Sequence, residues 1–150
     1  MKKVLLAVSG GIAVYKACDI VSKLTKRNVD VQVIMTENAT KFVTPLTFEA
    51  LSKHMVFTDT FDYSYDASIK HISLAQEADL LCVAPATANI MAKMAHGIAD
   101  DMVSSTFLAA TCPVLGCPAM NTNMYENAAT QANLRILEER GMKIVGPGVG

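Results

Sequence analysis

Residues 118–125, with the sequence PAMNTNMY, place amide and thioether side chains directly after an apolar run. Residues 115–118 are predicted to end a buried strand, so Asn121 and Asn123 are predicted on loop backbone, where polar groups can contact a ligand. Such a turn could hold a planar ring. Methionine-rich corners also serve as packing filler, so this segment alone leaves both interpretations open.

A second candidate segment joins the first predicted strand to the first predicted helix and contains Ser9, Gly10, Gly11, Ile12 and Ala13. Two adjacent glycines let backbone N–H groups approach a ligand at the positive end of a helix, which favours a phosphate or a flavin. Neither GxGxxG nor GxxxxGK[ST] is present, so ordinary dinucleotide and P-loop sites are disfavoured. The alternative is a tight turn that needs positive φ.

Two further segments are predicted at the same edge of the sheet. Thr36 follows the second strand and either offers a hydroxyl to a ligand or caps the next turn. Small side chains, one hydroxyl and one amide follow the third strand, at Ala84, Pro85, Ala86, Thr87, Ala88 and Asn89. Small residues leave room for a flat ring, whereas helix capping by Thr87 is the simpler role.

His71 lies in the sequence KHIS, shortly before the third strand. An imidazole can act as a base or hydrogen-bond partner near neutral pH, and the alternative is an ordinary solvent-exposed histidine. His54 and His96 are predicted to be peripheral.

The candidate site residues are positioned by predicted strands, which are short apolar runs, and by the predicted helices that alternate with them. The predicted strands are 4–8, 31–35, 80–84, 114–117 and 143–145, and the predicted helices are 12–26, 45–52, 87–95 and 130–140. Thr44 is the predicted N-cap of the second helix, Gly97 and Gly141 fit helix C′ positions, and residues 59–68 are predicted as a surface loop.

This order predicts an α/β fold of the three-layer, Rossmann-like (flavodoxin-like) type, with an open parallel sheet, helices on both faces and right-handed crossovers. Ligands then bind beyond the carboxyl ends of the strands.

The composition limits the function classes. The chain has 150 residues, is 51% hydrophobic and carries a formal charge of −1, which predicts one domain and disfavours nucleic-acid binding. Residues 102–125 are uncharged, but serines, threonines and prolines interrupt them, which predicts a buried helix and strand without a membrane partner. The N-terminus is predicted to be a first strand in a cytoplasmic protein, not a signal peptide.

The four cysteines, Cys18, Cys82, Cys112 and Cys117, form no CxxC pair and have no histidine spacing typical of zinc. They are predicted to be reduced, buried, structural thiols, with no metal site.

Together the four segments resemble those of the homo-oligomeric flavin-containing cysteine decarboxylases, especially the phosphopantothenoylcysteine decarboxylases of bacterial coenzyme A synthesis. The resemblance covers nearly the whole chain. Residues 9–13 match the family's opening turn, 70–72 its histidine motif, 84–89 its PASANT segment and 118–125 its PxMNxxMW segment. Two departures are Tyr125, where the motif usually has tryptophan, and the variant sequence at residues 86–89.

The resemblance implies a flavoprotein domain over residues 1–150 that binds FMN at the carboxyl edge of the sheet. Its implied FMN contacts are Ser9, Gly10, Gly11, Ile12, Thr36, Phe42, Met120 and the turn from Ala84 to Asn89. It also implies a homo-oligomer, a trimer or a dodecamer, with sites at subunit interfaces.

The implied reaction is FMN-dependent oxidative decarboxylation of 4′-phosphopantothenoylcysteine towards 4′-phosphopantetheine. By the same resemblance His71 is the base or orienting group, and Asn121 hydrogen-bonds the substrate carboxylate. The family's last reductive step needs a cysteine on a glycine-rich flap, a position that none of the four cysteines occupies. Two alternatives follow: either the flap lies beyond residue 150, where a fused synthetase domain could also follow, or the protein has lost the reductive half of the reaction. In both cases residues 1–150 alone are expected to decarboxylate and to stop at the oxidised ene-thiol.

Three other functions stay open on the sequence. A peptidyl-cysteine decarboxylase of lantibiotic maturation shares the fold, flavin, histidine and asparagine, so only substrate trials separate it. A flavin prenyltransferase is disfavoured because His71 together with the PAMN sequence is a decarboxylase combination. A non-catalytic flavin-binding regulatory subunit typically carries long acidic extensions, and these 150 residues contain none.

Overall fold

The computed structural model describes residues 1–58 and 72–147, and their strands form one parallel sheet. The strands are β1 (Lys3–Val8), β2 (Asp30–Met35), β3 (Leu80–Ala86), β4 (Val114–Pro118) and β5 (Lys143–Ile144). Their order in the sheet is β2-β1-β3-β4-β5, the flavodoxin-like order, which confirms the predicted fold class. The loop predicted at 59–68 and His71 lie outside the described residues.

Helices cover both faces of this sheet. They are α1 (Val14–Lys26), α2 (Pro45–Ser52), the helical residues 72–77 (α3), α4 (Ala88–His96), α5 (Met102–Ala109), α6 (Thr122–Glu126) and α7 (Ala128–Glu139), with a short 3-10 helix at Ala39–Lys41. In the described part of the chain no helix is long and apolar enough to span a membrane. The uncharged region, residues 102–125, contains α5 and β4, as predicted, and also α6 up to its last residue, Glu126.

Side-chain alternation along the central strand explains the continuous apolar runs. On β1, Leu6 and Val8 pack in one core cluster with residues of α1, while Leu5 and Ala7 pack in the other with residues of α4 and α7. Because successive side chains of a strand point to opposite faces, a strand covered by helices on both sides must be apolar throughout.

The predicted helix ends are largely confirmed. Gly97 and Gly141 have φ of +70° and +96°, the left-handed conformation that favours glycine after a helix. Thr44 occupies the N-cap position of α2 before a proline, but its side chain makes no capping hydrogen bond. Thr87 does cap α4, since its hydroxyl oxygen accepts from the backbone N–H of Ile90 at 3.2 Å.

Two predictions about local environment were wrong. Asn123 lies inside α6 and not on loop backbone. Asn121 is the N-cap of that helix, so the helix begins at Thr122, before Asn123 is reached. All four cysteines are free, as predicted, but only Cys82 is buried, while Cys18, Cys112 and Cys117 are half-buried. Cys117 is half-buried because β4 reaches its carboxyl end there, at the edge of the sheet.

Candidate functional site

A cavity of about 1390 Å³ lies at the carboxyl edge of the sheet, where the turns after β1, β2, β3 and β4 converge. Twelve of the residues predicted to form a site line it: Ser9, Gly10, Gly11, Ile12, Thr36, Ala84, Pro85, Thr87, Ala88, Asn89, Met120 and Asn121. Segments far apart in sequence meet here because the carboxyl ends of parallel strands share one edge.

Among the site residues that the structure describes, two are not brought to the cavity. Ala86 is fully buried and packs in the core with Ile90, since β3 continues through it. Phe42 follows the short 3-10 helix and is half exposed, outside the cavity lining.

Gly10 is required for close packing and not for a tight turn, whereas Gly11 has room for a Cβ. Neither has positive φ, so that alternative is wrong for both. A Cβ at Gly10 would lie 2.5 Å from Nδ2 and 2.8 Å from Cβ of Asn38. At Gly11 the nearest atom would be Cγ2 of Thr87 at 3.4 Å, close to an ordinary contact. Gly10 therefore allows the segment after β2 to approach the turn closely.

Ser9 connects the turn after β1 to the turn after β3. Its hydroxyl donates to the carbonyl oxygen of Pro85 at 2.5 Å and accepts from the backbone N–H of Thr87 at 3.2 Å. Only 2% of Ser9 is exposed, so these bonds are sheltered from water. Ser9 thus fixes the turn after β1 against the turn after β3, and both turns are walls of the cavity.

Ser9→Ala is expected to lower the free energy of unfolding of the ligand-free protein by about 2 kcal/mol, because the Pro85 carbonyl and the Thr87 N–H would both lose a partner. Urea denaturation followed by circular dichroism measures this change. Ser73→Ala is the control, since its hydroxyl bonds Glu77 at an exposed position and its loss should cost under about 0.5 kcal/mol. Equal losses in both variants would contradict a bridging role for Ser9.

Thr36 has the capping role that the sequence allowed. Its hydroxyl oxygen accepts from the backbone N–H of Ala39 at 3.1 Å, and the residue is 8% exposed while lining the cavity. It therefore orders the segment that carries Asn38 against Gly10.

Asn121 is held in a defined orientation. Its side-chain Oδ1 accepts from the backbone N–H of Met124 at 2.9 Å, as the N-cap of α6. Because the oxygen is used in this bond, the amide nitrogen is the group that can donate to a ligand in the cavity. Asn123, which lies two residues further along the chain inside α6, does not line the cavity.

Sequence reasoning missed an ion-pair cluster on the cavity wall. Lys93 Nζ lies 2.7 Å from Asp101 Oδ2 and 2.8 Å from Asp100 Oδ1, and Asp101 also caps α5 by accepting from Ser104 at 2.6 Å. Burial lowers the pKa of Lys93, but hydrogen bonds to the two carboxylates outweigh it and leave the pKa raised. The hydrogen bond from Lys93 lowers the pKa of Asp100. Lys93 and Asp100 therefore stay charged at neutral pH.

Charged side chains of both signs line the cavity. Lys16, Lys41 and Lys93 lie there with Glu37 and Asp101, and Asp100 also pairs with Lys93. Lysine side chains beside a glycine turn can pair with a phosphate or carboxylate. No sequence motif marks these lysines, because only packing of α1, the 3-10 helix and α4 brings them to one edge.

Comparison with known proteins agrees with this geometry. The sequence model of the family described as Flavoprotein matches residues 1–150. The coenzyme A biosynthesis bifunctional protein CoaBC of Bacillus subtilis is 54% identical over 149 residues, 99% of this chain and 37% of that protein. CoaBC of Escherichia coli strain K12 is 48% identical over 149 residues, which again cover 99% of this chain and 37% of that protein. The chain thus spans just over a third of the length of these relatives.

Solved structures share the fold over nearly the whole chain. The FMN-dependent cysteine decarboxylase SpaF superposes with a TM-score of 0.91 and 34% identity, covering 100% of this chain and 86% of that one. A PPC decarboxylase mutant complexed with pantothenoylaminoethenethiol superposes with a TM-score of 0.83 and 28% identity, covering 98% and 82%.

Proposed function

The chain belongs to the Flavoprotein family, and from that premise we propose that it is an FMN-dependent decarboxylase acting on 4′-phosphopantothenoylcysteine in coenzyme A biosynthesis. The observation that carries the proposal is a single cavity in which the glycine turn, the turn at residues 84–89 and the amide of Asn121 meet. The 54% identity to CoaBC over 149 residues supports the choice of substrate.

The cavity fits a flavin mononucleotide in three respects. The glycine turn, in which a Cβ at Gly10 would clash with Asn38, leads into the N-terminus of α1, where a phosphate is favoured. Small residues, among them Ala84 and Ala88, leave space for a planar ring. Lysines in the lining can pair with the phosphate. When bound, FMN supplies the oxidation of the substrate thiol that side chains alone cannot perform.

The chain's own residues bind and orient the substrate. Asn121 donates its amide N–H to the substrate carboxylate, which aligns the bond that breaks when carbon dioxide departs. His71, assigned from the motif, accepts a proton from the substrate near neutral pH. The electron pair left by carbon dioxide passes to the oxidised carbon–sulfur unit, which gives an ene-thiol.

Oligomerisation is part of the proposal. Four large apolar side chains are at least half exposed on the glycine turn, α1, the segment after β2 and α2: Ile12, Tyr15, Phe42 and Leu46. Apolar surface of this kind is typical of an interface, and the proposed assembly is a homotrimer that extends to a dodecamer, with a neighbouring subunit covering the cavity. Fusion to a synthetase domain, as in CoaBC, and a cytoplasmic location complete the proposal.

The alternative functions are not favoured. SpaF is a cysteine decarboxylase of the same fold, but its identity to this chain is 34%, against 54% for CoaBC.

The decisive experiment incubates purified, FMN-loaded protein with 4′-phosphopantothenoylcysteine and follows flavin absorbance and product masses. Release of carbon dioxide with a product of ene-thiol or phosphopantetheine mass is the expected result, and the two masses distinguish the oxidative from the complete reaction. Decarboxylation only of a peptide with a C-terminal cysteine would mean that the substrate is a peptidyl cysteine and not 4′-phosphopantothenoylcysteine. A flavin-bound protein inert to both would instead support the regulatory function.

A further inference from the structure

The two ends of the cavity differ in chemistry. The strand order β2-β1-β3-β4 places the turns after β2 and after β4 at opposite ends of a row of four turns. Neighbouring strands are about 4.8 Å apart, so three spacings separate these ends by roughly 14 Å. Asn121 follows β4 at one end, and the segment after β2, which carries Lys41, lies at the other. The cavity can therefore contact two well-separated polar groups.

Lys41 differs from the other lysines of the lining in its contacts with the protein. Lys93 pairs with two carboxylates, and the ammonium group of Lys16 lies 6.0 Å from the centre of the Tyr15 ring. Lys41 is exposed, and in the described part of the chain its side chain forms no ion pair, not even with Glu37 of the same lining. A ligand can therefore pair with Lys41 without breaking an existing ion pair.

Three contacts fix the backbone that carries Lys41. The hydroxyl oxygen of Thr36 accepts from the N–H of Ala39 at 3.1 Å, and the N–H of Lys41 donates to the carbonyl oxygen of Asn38 at 3.2 Å. Asn38 in turn packs directly on Gly10. Because residues three apart are eclipsed in a 3-10 helix, Lys41 and Asn38 lie on one face, and both line the cavity. The cation is thus placed beside the glycine turn.

The surroundings of this cation favour a phosphate ester over the corresponding alcohol. The glycine turn leads into α1, whose first turn has no acidic residue and whose N-cap residue makes no side-chain hydrogen bond. The partial positive charge at that helix end attracts anions. A phosphomonoester carries about 1.5–2 negative charges near pH 7. It therefore gains from both the helix end and a neighbouring lysine, whereas a hydroxyl group gains little from either.

We propose that Lys41 selects phosphorylated ligands in this cavity, as the cation that pairs with a phosphomonoester between the glycine turn and the segment after β2. The inference rests on the proposed function, which supplies two phosphomonoesters, the phosphate of FMN and the 4′-phosphate of the substrate. Both present the same chemistry to the ammonium group. The cofactor phosphate fits better, because the substrate is held by its carboxylate at Asn121, at the far end of the cavity.

The first arm of the test compares two flavins that differ only in the phosphate. Flavin-free protein is titrated with FMN and with riboflavin, and fluorescence quenching measures both affinities. Lys41→Gln is expected to weaken FMN binding about tenfold and riboflavin binding under about twofold. Lys41→Arg keeps the charge and should keep most of the FMN affinity. The control Lys26→Gln removes the same charge from the exposed last residue of α1 and should change neither affinity.

The second arm compares two substrates in the same way. FMN-loaded Lys41→Gln is assayed with 4′-phosphopantothenoylcysteine and with pantothenoylcysteine, which lacks the phosphate. If Lys41 pairs with the substrate phosphate, KM for the phosphorylated substrate rises about tenfold, KM for the other is unchanged, and the preference for FMN over riboflavin is kept. Either pattern supports selection of a phosphomonoester by Lys41, and the two patterns identify which ligand carries it.

One result would overturn the inference while leaving the proposed function intact. This is a Lys41→Gln protein that keeps both its preference for FMN over riboflavin and its preference for the phosphorylated substrate. Failure of the unaltered protein to bind either flavin would contradict the proposed function and this inference together. Lys41 is exposed, so the variant is expected to fold, and circular dichroism checks this before the titrations.

Discussion

Asn121→Asp is expected to lower kcat/KM for decarboxylation about 1,000-fold while FMN affinity changes little. Aspartate caps a helix as well as asparagine does, so α6 keeps the bond to the N–H of Met124. The variant loses the amide donor, which is worth roughly 1.5–3 kcal/mol to a charged acceptor, and it adds a negative charge opposite the substrate carboxylate. Together these amount to about 4 kcal/mol, or three powers of ten.

The matched control for this result is Asn123→Asp. It introduces the same charge into the same helix, but the residue does not line the cavity. Steady-state kinetics with 4′-phosphopantothenoylcysteine should give a change of under about threefold. A loss as large as that of Asn121→Asp would mean that charge on α6, and not the Asn121 amide, controls the rate.

Gly10→Ala is expected to weaken FMN binding by about 100-fold. The new Cβ would lie 2.8 Å from Cβ of Asn38, so the glycine turn and the segment after β2 must separate. Forcing a side chain into a packed contact costs about 1–3 kcal/mol, and here the shift falls on the backbone proposed to hold the phosphate. Quenching of FMN fluorescence on titration with protein measures the affinity.

Two further variants test whether the clash with Asn38, and not the mere addition of a side chain to the glycine turn, causes the loss. Gly10→Ala combined with Asn38→Gly removes the clashing side chain and should recover most of the FMN affinity. Gly11→Ala, whose Cβ would meet Thr87 at 3.4 Å, should change the free energy of unfolding of the ligand-free protein by under about 0.5 kcal/mol. If the double variant binds FMN no better than Gly10→Ala, the contact with Asn38 is not the cause.

Much of the fold could be predicted because it depends on local patterns. Apolar runs located all five strands to within two residues, and glycines at 97 and 141 marked helix ends through a backbone conformation that other residues rarely adopt. The start of α7 was missed by two residues, since Asn127 caps it through the N–H of Ala129. The role of His71 stays a prediction.

The chain's sequence by itself determined which segments share the cavity, because alternating strands and helices imply a parallel sheet whose carboxyl ends meet at one edge. Tertiary structure alone decided how those segments touch. Ser9 bonds Pro85 across 76 residues, and Cys82 and Cys117 share a core cluster only because β3 and β4 are neighbouring strands. Ala86 points into the core although its neighbours line the cavity. Such contacts depend on ångström-scale distances between elements, which are set by how side chains of both core clusters pack, and no local pattern in the sequence encodes them.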